Sequence, residues 1–543
     1  MYLLNSSYTM RKLFFLAALA IVAFLLPPTT PTLTRTTVTT QPSRILFLSF
    51  FSGKSHRLTY LPLIQELARR GHHVTVLTPL LSSNATTTTP KNNIREIQTL
   101  DSYTEFFSKF DPIKIKETND MMNPFRMIDL FEKICRKSYK LPEIMGLLNE
   151  KFDLISMQPQ VNECALGLVY KLGSHLVLFS PAGAPNYVTK LIGSHQPFSF
   201  ASHFFLGYSD EMSFAQRFVN FGFNVLFDLQ MEWVYQPAMT RIYREELNDD
   251  SIPDVGEIMG NADLILSNSH FSLSGHRNHL PGVVEVGGIH SFGVGRTKTK
   301  LPEGLNRFLS QGHPKGFILF SLGTIINTNT ISIEKRNIFM NTFSKLTEYG
   351  IIWKWDDSSI HTPSNIFISN WVPQEDLLRH PNIKLFITHC GLGGTEEAIL
   401  NGIPMLGMPL VGDQPLNAKQ AERLGILKVL DWNEITEEAL LHGIQEVLEN
   451  KKYRQNAEAL SKIFKDQPDN PLDLAVFWLE YILRHNGAPH LKSSARKLNY
   501  FQYHSWDVIF VYVGIILSSV WLTLKFFSVM CCKMRQKVHY KQS

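Results

Sequence analysis

The chain has 543 residues, of which 44% are hydrophobic and 19% charged, with a formal net charge of +5. That composition belongs to an ordered globular protein and excludes collagen-like and disordered classes. A charge so small for the length, with no basic stripe interleaved with aromatics, leaves no nucleic-acid footprint. Five cysteines are too few for a disulfide scaffold. Their spacings match no zinc ligand set, so no metal is expected.

Length alone suggests about two to three domains. At the N-terminus, Arg11 and Lys12 precede an apolar run from Leu13 to Leu26, and Pro27 and Pro28 close it. The run has the length of a signal-peptide core and is short for a membrane span, so residues 1–28 read as a signal peptide, with Met10 an alternative start. Residues 29–40 are threonine-rich and read as a leader. Asn84-Ala85-Thr86 is a glycosylation acceptor triplet suited to a lumenal surface loop.

From residue 43 to 287, short apolar runs alternate with helical patterns. Examples of the runs are ILFLSFF from Ile45, HVTVLTP from His73, FDLISM from Phe152, HLVLFSP from His175 and DLILSNS from Asp263. Continuous apolar runs of this length suit strands buried on both faces of a parallel sheet. Between the first two, Leu61, Ile64, Leu67 and Ala68 recur at helical spacing and Gly71 supplies the stop, which makes a βαβ unit. The aromatic stretch from Pro197 to Trp233 has three readings: the wall of a greasy acceptor pocket, a membrane-docking segment, or helical core. Cys135, Cys164 and Cys390 allow at most one bridge in the body.

Residues 288–313, rich in Gly, Pro and Lys, read as a linker. A second series follows over 314–490: FILFSLG from Phe317, GIIWKW from Gly350, NIFISNW from Asn365, KLFITH from Lys384 and MLGMPL from Met405. Two such series predict an α/β protein of two Rossmann-like domains facing across a cleft, which binds its ligand at the carboxyl ends of both sets of strands. Near the C-terminus, Val508 to Leu524 is uncharged and apolar. Beyond Lys525, which can snorkel to headgroups, the apolar run resumes to Cys532, so 508–532 reads as a transmembrane helix and 533–543 as its cytosolic tail.

The richest stretch runs from Trp371 to Gln414. The strand KLFITH ends at His389 and enters the turn Cys390-Gly391-Leu392-Gly393-Gly394, with a helix expected from Thr395. Glycines allow close backbone approach, and a helix N-terminus aims N–H groups and a positive dipole at its ligand, which makes a diphosphate cradle. No Gly-Lys-Ser/Thr follows, so this is no Walker loop, and it is no GxGxxG turn. Trp371, in a Trp-x-Pro-Gln turn, can stack on a base. Glu397 can accept both hydroxyls of a ribose, and Asp413 with Gln414 can grip sugar hydroxyls. Taken singly each also has a structural reading: Trp371 as core, His389 as a buried structural histidine, Glu397 as a solvated helix residue.

Together these motifs resemble the signature of the UDP-glycosyltransferases, in both the vertebrate glucuronosyl and the plant and invertebrate glucosyl branches. The likeness extends over almost the whole chain, including the leader, first strand, SLGT turn and C-terminal anchor. It implies the GT-B fold, inversion at the anomeric carbon, and a UDP-sugar co-substrate with no bound cofactor. Carried over, Trp371 stacks on uracil, Gln374 and Glu397 contact the ribose, and His389 reaches a phosphate. Thr324, Gly391, Gly393 and Gly394 line the diphosphate, and Asp413 and Gln414 hold the sugar. Cys390 and Gly393 depart from vertebrate-type sequences, which often have Gly and Asn there; backbone must serve the phosphate at Gly393.

Transfer to a hydroxyl needs a base, and histidine suits that task. The first strand ends in SFFSGKSH, which puts His56 where the family has its catalytic histidine. Most members orient it with a carboxylate after the FDL-type strand, but FDLISMQPQ puts Gln158 there. An amide can hold the tautomer and cannot balance an imidazolium. Glu163 is a substitute within reach in sequence, and Asp153 reads as a brace for the strand. The resemblance implies transfer of glucose or glucuronic acid to a small lipophilic hydroxylated acceptor, a detoxifying role, and a single-pass type I protein of the endoplasmic reticulum with a lumenal body. The other reading is a non-catalytic UDP-sugar-binding partner. Assembly with itself or with relatives is left open.

Overall fold

The long apolar runs are strands buried on both faces, because helices cover each sheet from either side. The computed structural model describes residues 41–81, 93–99, 110–118, 124–293, 301–357 and 359–542. The signal run, the leader, the triplet at Asn84 and part of the linker lie outside them. Residues 42–543 form one compact unit.

The first sheet contains β1 (Arg44–Leu48), β2 (His73–Thr78), β3 (Ile94–Gln98), β4 (Leu154–Met157), β5 (His175–Ser180), β6 (Leu264–Ser267) and β7 (Val283–Glu285). All pairs are parallel and the order is 3-2-1-4-5-6-7. The second sheet contains β8 (Phe317–Ser321), β9 (Gly350–Lys354), β10 (Ile366–Ser369), β11 (Ile383–Thr388), β12 (Met405–Gly407) and β13 (Leu427–Val429). It is parallel too, ordered 10-9-8-11-12-13. In each sheet the strand order reverses beside the first strand, between β1 and β4 and between β8 and β11. Such a reversal leaves a crevice beyond the strand ends. His56 and Gln158 follow β1 and β4; Thr324 and His389 follow β8 and β11.

Helix α1 (Lys54–Arg69) returns over the first sheet and buries Leu63, Ile64 and Leu67. Its first turn is pinned by a buried ion pair, Arg57 to Glu96 on β3 at 2.6 Å, and by Arg57 donating to Thr78 Oγ1 at 3.2 Å. Asp153 accepts the backbone N–H of Arg44 at 2.7 Å and so braces β4 against β1. Further along lie α2 (Phe214–Gln230), α3 (Leu392–Leu400), α4 (Gln414–Arg423), α5 (Pro471–His485) and α6 (Trp506–Gln542). Cys135 and Cys164 form a disulfide, and Cys390 is free and buried.

Two segments differ from their sequence reading. The linker carries a helix, Glu303–Ser310, that buries Leu305 and Phe308; at eight residues it is too short to show a helical period in sequence. Helix α5, read with the second domain, crosses back: Leu472, Val476 and Leu479 share a core with Leu63, Ile64 and Val284 of the first half. The segment after it stays there, with Arg496 donating to Gly260 O at 3.1 Å and Lys492 to Asn261 O at 2.6 Å. From this seat α6 departs. Within Trp506–Met534 an 18-residue window has a mean hydropathy of 2.0 and no buried residue, which fits a single-pass membrane anchor.

Candidate active site

Both strand-order reversals open onto one cleft of about 430 Å³. Its first wall is the start of α1. His56 stands there half-buried, and burial pulls its pKa down to about 4, an effect that Gln158 partly offsets. The imidazole is therefore neutral near pH 7 and able to accept a proton. His56 Nδ1 and Gln158 Oε1 are both buried and neither makes a hydrogen bond at normal geometry. Gln158 does not line the cleft. It sits behind His56 beside a small void shared with Ser156 and Tyr60, and its Nε2 donates to Gln160 O at 3.3 Å. Glu163 takes no part: its carboxylate accepts from Tyr235 Oη at 2.8 Å, away from His56.

The opposite wall is built from strand ends of the second sheet. Residues Thr324, Trp371, Gln374, His389, Gly391, Gly393, Gly394, Glu397, Asp413 and Gln414 all line the cleft. Trp371 is 54% exposed, which excludes a core role and leaves a ring face for stacking. Gln374 Nε2 donates to Glu397 Oε2 at 2.7 Å, so the carboxylate is held in one orientation. Gln414 Oε1 accepts from the N–H groups of Leu410 and Val411 at 2.9 and 3.1 Å, which leaves its NH₂ as the group to offer a ligand. Asp413 Oδ2 accepts from Asn417 at 2.6 Å, and burial raises its pKa.

His389 is the tightest fit of the site. A Cβ added at Gly323 would lie 2.4 Å from His389 Cε1, and one at Gly391 would lie 2.5 Å from Nε2. Glycine at both positions is thus the condition for the imidazole to stand between them. Burial, and then the charge of Lys354, pulls its pKa to about 4, so it faces the cleft as a neutral ring with one N–H to donate. Helix α3 begins at Leu392, three residues before the expected start, because Gly391 takes the N-cap position with no side-chain cap. Gly393 and Gly394 therefore lie in the first turn, and their N–H groups belong to the uncapped donors of a helix N-terminus.

Among the lining residues that the sequence reading did not single out are Lys354 and His290. Lys354 ends β9, donates to Gly323 O at 2.7 Å and is drawn below its ordinary pKa by burial. It brings positive charge beside the anion-binding turn. As the lone charge in GIIWKW, it was the visible signal. His290 follows the linker turn, with Nε2 3.6 Å from Glu397 Oε1 and Nδ1 3.8 Å from Glu396 Oε2; nothing local in sequence distinguishes it. Beside the main cleft, a recess sharing Ala182, Leu392 and Asp413 with it is walled by Phe198, Ala201 and Phe204. The arrangement can seat a base, a ribose and a diphosphate on one wall and take a proton on the other.

Comparison with known proteins agrees with this geometry. Residues 46–541 match the family model described as "UDP-glucoronosyl and UDP-glucosyl transferase". UDP-glycosyltransferase UGT5 of Dactylopius coccus is 31% identical over 479 residues, covering 87% of this chain and 89% of that protein. UDP-glucuronosyltransferase 1A6 of Mus musculus is 32% identical, with 88% and 89% covered. Among solved structures, the glycosyltransferase of kitacinnamycin superposes with a TM-score of 0.55 at 17% identity, covering 81% of this chain and 99% of that one. The calicheamicin glycosyltransferase CalG4 gives 0.53 at 14%, covering 82% and 100%. At those identities the likeness is one of fold, the GT-B arrangement of paired parallel sheets. With a family match over nearly all its length, and the strand ends of both sheets arranged around one donor-sized cleft, this chain belongs to the UDP-glucuronosyl and UDP-glucosyl transferase family and is a UDP-glycosyltransferase.

Proposed function

We propose that the chain transfers glucose or glucuronic acid from its UDP carrier to a hydroxyl of a small lipophilic acceptor, with inversion and with His56 as general base. The observation that carries this reading is the shared cleft, in which a neutral His56 faces Trp371, His389, Glu397, Asp413 and Gln414. In one displacement the acceptor oxygen attacks the anomeric carbon, His56 takes the hydroxyl proton, and the bond to the UDP oxygen breaks. The N-terminus of α3, His389 and Lys354 stabilise the charge that develops on the departing diphosphate. Trp371 stacks on uracil and Glu397, held by Gln374, binds the ribose hydroxyls. Leu58, Pro181 and Ile325, beside His56, form an apolar rim that suits a lipophilic acceptor.

The disulfide between Cys135 and Cys164 suits an oxidising compartment and supports a lumenal body anchored by α6 in the endoplasmic reticulum membrane. A second reading, a UDP-sugar-binding partner without transferase activity, is favoured by Gln158, which cannot balance a charged imidazole. UDP release by membranes containing the protein, with each UDP-sugar and a panel of phenols and steroids, separates the two. Acceptor-dependent release should fall by about 10²–10⁴-fold in His56→Ala, the usual range for a positioned base. No release from the unaltered chain, although UDP-sugar protects it against heat, would transfer the assignment to the binding partner.

A further inference from the structure

The loop from β6 to β7 carries a charge that the fold leaves unspent. Arg277, within that loop, lines the recess beside the main cleft. A guanidinium offers five N–H groups, yet among the described residues this one makes no hydrogen bond or ion pair; Glu285 and then Asp210 act on it only through space. Burial draws its pKa below the ordinary value. Both acids are engaged elsewhere. Glu285 accepts from Ser269 Oγ at 2.8 Å. Asp210 faces Arg423 Nε at 3.2 Å and His276 Nδ1 at 3.5 Å. A guanidinium withdrawn from water without hydrogen bonds is costly. One kept at that cost on the wall of a cavity points to a ligand of opposite sign.

Other polar groups of the same recess are unspent too. Gln420 of α4, 4% exposed, accepts from Arg423 Nε at 3.3 Å through Oε1 and leaves its NH₂ without a partner. His279 Nδ1 is buried and makes no hydrogen bond; burial, and then the charge of Arg277, pulls the ring to a pKa of about 4, so it stands there neutral. Neighbouring side chains are already committed: Asn224 Nδ2 donates to Asn220 O at 2.8 Å and Ser202 Oγ to His203 O at 3.2 Å. Phe198, Ala201, Phe204 and Leu273 supply apolar wall. The recess holds about 80 Å³, room for a group of a few heavy atoms. It shares Ala182 and Asp413 with the cleft that holds His56.

We propose that this recess is an anion subsite, in which Arg277 and Gln420 receive a carboxylate carried by one of the two substrates. The planar fork of a guanidinium meets a carboxylate at two points, and the Gln420 NH₂ adds a further donor. A dianion such as a phosphate monoester would leave surplus negative charge beside Asp413, Glu285 and Asp210. The proposal rests on the transferase reading of the adjoining cleft. The carboxylate has two sources there. One is glucuronic acid, its ring held at Asp413. The other is a lipophilic hydroxy acid that passes Ala182, with its hydroxyl at His56 and its acid in the recess.

The test uses the full chain in detergent micelles and two pairs of probes, each pair differing by a carboxylate. The donor pair is UDP-glucuronic acid and UDP-glucose; the acceptor pair, with UDP present, is para-hydroxyphenylpropionate and para-propylphenol. Titration calorimetry gives the affinity ratio within each pair, acid over neutral. In Arg277→Met one of the two ratios should fall about 10–100-fold, the range for a lost hydrogen bond to a charged group. Arg277→Lys, which keeps the charge and loses the fork, should lower the same ratio by less, and it carries the comparison if the methionine variant does not fold. A fall in the donor ratio places the carboxylate on the sugar, and a fall in the acceptor ratio places it on the acceptor. Both ratios unmoved, whether the affinities hold or weaken together, would overturn the proposal. Binding is read apart from turnover, so an absence of transfer would sink the function proposed above and leave these ratios to decide this one.

Discussion

Replacing Gln158 by aspartate would put a full negative charge behind His56. In the native chain the imidazole is held near a pKa of 4 by burial, so it stays unprotonated, and competent as a base, well below neutral pH. A carboxylate neighbour favours the charged ring and raises that pKa. Two opposite effects should follow in Gln158→Asp: turnover near pH 7.5 rises, because the imidazolium formed during transfer is balanced, and activity is lost at a higher pH on the acid side. A pH profile of kcat/KM for both proteins checks this, and an unmoved acid limb would mean that position 158 does not communicate with His56. Trp371→Ala should weaken binding of UDP itself by about 1–3 kcal/mol, the usual loss when a base loses its stacking partner; titration calorimetry measures it. At this scale the donor residues were legible because they cluster in one contiguous stretch, from Trp371 to Gln414, where spacing carries the meaning. Lys354 and His290 reach the same cleft from separate strand and linker ends, and only the folded chain brings them in. Glu163 shows the converse, close to Gln158 in sequence and engaged elsewhere.

At the scale of elements, α1 delivers His56 and is set in part by the buried ion pair of Arg57 with Glu96. Glu96→Ala removes the carboxylate that balances the buried Arg57 guanidinium, and breaking a buried pair in this way typically costs about 3–5 kcal/mol. Thermal or chaotrope denaturation should register the loss, whereas a value under about 1 kcal/mol would place the pair among exposed ones. Gly323→Ala drives a methyl group into the His389 ring and demands a backbone φ of +76°, which side chains resist. UDP-sugar affinity should fall steeply while the second sheet remains intact, as read by calorimetry beside circular dichroism. The strands most legible in sequence were the central ones, whose two buried faces make continuous runs such as FILFS and KLFIT. Those missed were β3, β7 and β13, all at sheet edges. Strand β3 reads IREIQ, half polar because one side of an edge strand is not enclosed, and the other two have three residues each, too few to show any period.

Across the whole molecule the two halves are joined by a buried polar contact. Asn268, after β6, donates to Glu396 Oε2 on α3 at 3.0 Å and to Pro181 O at 3.0 Å, and accepts from Gly288 N at 3.1 Å. Glu396 is fully buried, and burial raises its pKa well above the ordinary value. An acid whose folded pKa is raised stabilises the fold below its unfolded pKa and loses that contribution as pH climbs toward the folded one. Glu396→Gln should therefore match the native chain near pH 4 and exceed it at pH 8, with a slope difference of at most about 1.4 kcal/mol per pH unit. Parallel pH dependences in the two proteins would mean that the carboxyl is ionised after all. The return of the chain through α5 to the first sheet has a mechanical consequence. With α6 as the anchor, the half nearest the span is the first one, and the second half is joined to it by the linker, by the crossing near residues 465–471 and by contacts such as that of Asn268 with Glu396. On that reading, any swing that admits a fresh nucleotide sugar or lets UDP go would move the second half, while His56 in the first half would keep a fixed height above the lipid.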